Sequence, residues 1–104
     1  MNFQQKRLPE DVRFLNSSPM LTQQTVPRQL LRSHMMPAER LGVLIVSKGR
    51  LRFVWDDSKE TIDVIPGYPV IIESERLHHL ELCGPVEFSI KFYEFHNHSV
   101  PAGK

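Results

Sequence analysis

Past Met36 the chain alternates short apolar runs with turn formers, and this spacing predicts an antiparallel all-β domain. Gly42 to Ser47 (GVLIVS) is a nearly continuous apolar run flanked by glycine, as a strand covered on both faces would be. Arg50 to Trp55 (RLRFVW) sets Leu51, Phe53 and Trp55 on one face, and the intervening Ser47-Lys48-Gly49-Arg50 offers a glycine for a tight hairpin. Asp56 to Lys59 reads as the next turn, Glu60 to Ile65 as a strand, Pro66 to Pro69 as another turn and Val70 to Ile72 as a further strand. His78 to Leu82 and Val86 to Tyr93 follow on either side of a turn at Cys83-Gly84-Pro85. In the last run Phe88, Ile90 and Phe92 alternate with Glu87, Ser89 and Lys91, the period of a half-buried strand.

Upstream the pattern is weaker. Val12 to Leu15 predicts a short strand, and Asn16 to Pro27 is a run of turn formers and polar residues expected to drape over the fold. Arg28 to Met36 lacks clean periodicity and is read as a strand because strands follow it. A small domain with seven or eight short antiparallel strands must close or fold over to protect its edges, so the predicted fold is a jelly-roll barrel. The expected organisation is an N-terminal arm over 1–27, the barrel over 28–95 and a flexible tail over 96–104.

Length and composition narrow the partners. A chain of 104 residues, 40% hydrophobic and 24% charged, fits one core with an ordinary polar surface. Thirteen basic residues against twelve acidic ones leave a formal charge of +1, and they are scattered, which argues against nucleic acid. Lys48, Arg50 and Arg52 form the one basic cluster and read as a solvated strand face. Cys83 is the single cysteine, so no internal disulfide forms and a cytoplasmic location is expected. No apolar stretch has the length of a signal peptide or a membrane span.

The run Gly67, Glu73, Glu75 and His78 has the spacing of the second motif of the cupin superfamily, with Glu73 and Glu75 where that family has Pro and Gly. A wider likeness covers Val12 to Phe95: Pro19, Pro27, RQLLRSH ending at His34, VLIVSKGRLRF, Gly67 to His78, and EFSIKFY. In these features the chain resembles the small cupin-like domain of the tellurite-resistance protein B and YeaR-like family. That resemblance implies a double-stranded β-helix, often homodimeric, with a ligand or metal pocket at its mouth. Leu77 stands where the family has Trp before the histidine, and Lys91 where it often has an acidic residue. Longer members add a methyltransferase domain; this chain has no glycine-rich strand-to-helix turn, so methyl transfer is not expected of it.

Metal chemistry of the cupin kind needs about three donors with one position left open. Aligning the first cupin motif through Gly49 places Gly42 at its glutamate and keeps only His34 of its histidine pair. His34 and His78 are therefore the candidate metal ligands, for zinc, iron, manganese or nickel, and with Tyr93 the candidate contacts for a small molecule or oxyanion. Even-numbered His78, Leu80 and Leu82 share a face expected to point inward, which turns His79 and Glu81 outward. Met36, on the face of His34, is a weak donor, and Glu39 is a loop residue in reach of the same region. The same two rings serve equally as partly buried histidines satisfied by hydrogen bonds. His96 and His98 form a second imidazole pair in the tail, and Cys83 reads as a strand-end residue. Three functions follow: a ligand- or metal-binding module, a metal-dependent oxygenase or isomerase using His34 and His78 with a third donor, and a homodimeric interaction module.

Overall fold

A computed structural model describes residues 8–95; the tail pair His96 and His98 lies outside them. Six strands occupy Val12–Ser17 (β1), Leu21–Thr22 (β2), Arg40–Trp55 (β3), Thr61–Val64 (β4), Val70–Ile72 (β5) and His78–Phe95 (β6). All pairings between strands are antiparallel, along the path β1-β6-β3-β4, with β2 on β6 and β5 on β3. The domain is all-β, as the alternation predicts. The path is open, however, and does not return on itself as a closed barrel would.

Two predicted hairpins are instead bends. The runs 42–47 and 50–55 belong to one strand, β3, and the runs 78–82 and 86–93 belong to β6. The two long strands pair along nearly their whole length, from Arg40↔Glu94 to Trp55↔His78. Chain reversal at Ser47-Lys48-Gly49-Arg50 and at Cys83-Gly84-Pro85 is replaced by register shifts, one between Val46 and Lys48 and one between Gly49 and Leu51. Extra residues of this kind bend and twist a ribbon without ending it. Gly49 is required there: its φ is 77°, and an added Cβ would stand 2.2 Å from the Pro85 carbonyl oxygen.

The bend folds the ribbon over the main core. Leu44, Val46, Phe88 and Ile90 from one half meet Leu51, Phe53, Trp55 and Leu80 from the other in one buried cluster. Inward positions on β3 are even before the bulge and odd after it, which reconciles Leu44 with Phe53. Leu82 has the parity of Leu80 but sits at the bend and is 39% exposed, against the inward position predicted for it. Leu41, Val43 and Ile71 form a second, smaller cluster on the opposite face of the first half. GVLIVS is thus covered on both sides, as its apolar run predicts.

The N-terminal segment carries the strand predicted at Val12 to Leu15, extended to Ser17, and differs from its reading further on. Residues of the arm supply β1 and β2, both paired to β6. Arg28 to Met36 is not a strand: Arg28–Leu31 is one turn of 3-10 helix, with Leu30 N–H donating to the Pro27 carbonyl at 3.0 Å. Pro27 fixes the entry angle, and Leu30 and Leu31 pack against the core from this turn. Only isolated bridges follow, His34 to His78 and Met36 to Ser74. The turns at Asp56 to Lys59 and Pro66 to Pro69 form as predicted; Gly67 adopts φ 89° while Tyr68 N–H donates to the Ile65 carbonyl.

Candidate functional site

The first residue of β6, His78, meets the segment leaving the 3-10 turn. His34 and His78 exchange both backbone hydrogen bonds at 2.9 Å, a closed antiparallel pair. Their rings lie 4.3 Å apart between centroids, tilted by 59°. Each Nδ1 faces a carbonyl two residues back, Arg32 at 2.8 Å for His34 and Arg76 at 2.9 Å for His78. A carbonyl only accepts, so both Nδ1 atoms carry the proton, and the lone pair of either ring in its neutral form is at Nε2. The sequence pairing of His34 with His78 is therefore present in space.

The surroundings set the charge of this pair. His78 is 1% exposed and lies nearly parallel to Phe53, at 5.2 Å and 18°, with Trp55 edge-on at 5.6 Å. Burial pushes its pKa down to about 4; the Arg76 carbonyl opposes this, and His34 adds to it. His78 is neutral at physiological pH. His34 is half-buried and forms the solvent side of the pair. Arg76 closes the end of the core: its guanidinium sits 4.0 Å above the Trp55 ring and forks onto Asp57 at 2.9 and 3.1 Å, with Glu73 at 3.3 Å. That fork holds the Asp57 carboxyl below its ordinary pKa.

Tyr93 is not part of this cluster. It packs edge-on against Phe14 at 5.5 Å and joins the smaller cluster with Leu41 and Val43, whereas Phe92 joins the main core. The alternation that sends Phe92 inward sends Tyr93 out. Gly42 lies against Ile72 and Ile90, 3.2 and 3.4 Å from a notional Cβ, so a glutamate there would meet packed core. Among the described residues no group of three His, Cys, Asp or Glu side chains is placed to hold a metal ion. Met36 is buried in the core, and Cys83 is exposed at the bend.

The outward face of β6 carries a cluster that sequence reading left unused. His79 Nδ1 is 2.9 Å from Asp56 Oδ1 and Nε2 is 3.1 Å from Glu81 Oε2, while Ser33 Oγ donates to Asp56 Oδ2 at 2.8 Å. Burial lowers the His79 pKa, but hydrogen bonds to Glu81 and Asp56 outweigh it and the net shift is upward. For Asp56, burial raises the pKa, and the bonds from Ser33 and His79 bring it below the ordinary value. With both ring nitrogens engaged by carboxylates, His79 works as a clamp between Asp56 and Glu81. The Glu81 position, two residues from His79 on one strand face, was the available signal.

The TehB-like domain family matches residues 16–90, and the chain belongs to that family. Comparison with curated proteins finds no match. Among solved structures, an Escherichia coli K12 protein determined as a structural-genomics target superposes with a TM-score of 0.77 at 19% identity, over 85% of this chain and 95% of that one. TehB from Haemophilus influenzae gives 0.75 at 18% identity, over 91% of this chain and 37% of that one. The chain is thus similar in fold to about a third of that TehB. Among the described residues no helix is long and apolar enough to cross a membrane.

Proposed function

We propose that this chain is a small ligand-binding domain of the tellurite-resistance type, with a cupin-like ancestry, that uses His34 and His78 as its recognition pair. The observation that supports this reading is the shared hydrogen bonding of the two adjacent imidazoles: each ties Nδ1 to a backbone carbonyl and leaves Nε2 unused by it. Backbone carbonyls fix metal-binding histidines in the same way. Two imidazole nitrogens suit a divalent ion whose remaining ligands come from solution, or an oxyanion that still carries a hydroxyl proton to donate. They do not by themselves make the three-donor centre of an enzyme. His34, on the solvent side, makes first contact, and His78 behind it is held rigid by Phe53 and Trp55.

Equilibrium dialysis of untagged protein against zinc, iron, manganese or nickel at neutral pH, followed by elemental analysis, tests the metal form. Stoichiometric uptake is expected, and His34→Ala removes it while leaving the fold intact, since His34 lies at the surface of the pair. Uptake unchanged in both His34→Ala and His78→Ala would end the reading.

A further inference from the structure

A cavity opens where β1 meets the loop before β3. It is an open cleft of about 510 Å³ lined by Leu15, Asn16, Met36, Pro37, Arg40 and Phe92, a volume within the range of about 300 to 1,000 Å³ typical of small-molecule sites. Two features show how the backbone forms it. Leu15 and Asn16 are consecutive strand residues, which ordinarily face opposite sides, yet both line this cavity. The register shift between Phe14 and Asn16 leaves Leu15 without a pairing partner on β6, and this bulge turns both side chains the same way.

The opposite wall is equally constrained. Glu39 holds φ 65°, the left-handed region, and its carbonyl accepts from Phe95 N–H at 3.1 Å. The Arg40 carbonyl accepts from Ser74 Oγ. Arg40 is thereby fixed at the rim with its guanidinium half-exposed. One of its nitrogens reaches Glu94 at 3.3 Å, and Glu94 also receives Arg13. Arg40 thus brings a guanidinium to an otherwise largely apolar pocket, with the Asn16 amide as a further polar group.

We propose that this cavity binds a small organic monocarboxylate, its apolar body against Leu15, Met36 and Phe92 and its carboxylate on Arg40. Arg40 retains donors beyond the one used by Glu94, and a carboxylate matches the guanidinium fork. A hydrated inorganic oxyanion would satisfy the charge but gain nothing from the apolar wall. This site is built from different residues than the histidine pair and stands or falls separately from it.

Calorimetric titration of the full chain with hexanoate, sulfate and 1-hexanol separates the contributions. Hexanoate is expected to bind with one site per chain, and the other two at least about tenfold more weakly, since each supplies half of the recognition. Arg40→Gln weakens hexanoate at least about tenfold. Leu15→Asn weakens it several-fold, and Arg52→Gln, the same charge change elsewhere on the surface, leaves it unchanged. Melting curves establish that each variant folds. Absence of hexanoate binding, sulfate as strong as hexanoate, or equal losses in the Arg40 and Arg52 variants would overturn the proposal.

Discussion

His78 and His79 are neighbours on one strand and have opposite chemistry. His78 faces a wall of Phe53 and Trp55, with its pKa lowered to about 4. His79 faces Asp56 and Glu81, and its pKa is raised. The difference comes from the strand period: a shift of one residue exchanges a ring walled by aromatics for one held between two carboxylates. Cross-strand partners repeat the contrast, since Phe53↔Leu80 lies on the inner face and Arg52↔Glu81 on the outer. Residue type alone assigns neither histidine.

The contrast breaks most visibly under truncation. Phe53 is fully buried, so Phe53→Ala is expected to destabilise by about 3–5 kcal/mol, a cavity beside Trp55 and His78 included. Arg52, one residue away, makes an exposed ion pair with Glu81 at 3.6 Å, and Arg52→Ala is expected to change stability by less than about 1 kcal/mol. Urea denaturation midpoints measure both. Comparable losses would mean that the two faces are not energetically distinct.

Acid titration gives the next largest effect. Because the folded pKa of His78 lies below its unfolded value, the unfolded chain binds this proton first as pH falls. Stability should decline between about pH 6.5 and 4 and level off below, by an amount on the order of 3 kcal/mol from this group. His78→Leu removes the titration, and its stability curve is expected to be flatter across that window. A slope identical to that of the parent protein would assign the acid sensitivity to other groups.

Much of this was legible in the sequence. The alternation from Val86 onward identifies the inward face of β6, and the pairing of His34 with His78 followed from the likeness in motif spacing. The hairpins were misread because Gly49 and Gly84 supply positive φ, which serves a bulge as well as a turn; only long-range pairing decides between them. The 3-10 turn at Arg28–Leu31 was hidden because one turn is too short to show a period. Tyr93 was readable as outward from its neighbours Phe92 and Ile90, which sets it apart from the inward-facing histidine pair. Asp56 and Arg76 were out of reach, since their contacts with His79 and Trp55 depend on how the β3 to β4 turn and the segment before β6 are brought together.

The smallest effect is the most selective test of the outer face. The His79 imidazolium is stabilised by Asp56 and Glu81, so its contribution is fully present below the unfolded pKa near 6.5 and is lost as pH rises through the raised folded value. The side chain is partly exposed, and the stabilisation is expected to stay below about 1 kcal/mol. Proton NMR titration of the ring should show His79 titrating above 6.5, and Glu81→Gln should move it down because one of its two carboxylate partners becomes neutral. His78, on the other face, should keep its low pKa in the same variant, because burial rather than Glu81 sets it. A common shift of both rings would show that the strand does not insulate its two faces, and the separate roles given to the two histidines would fail together.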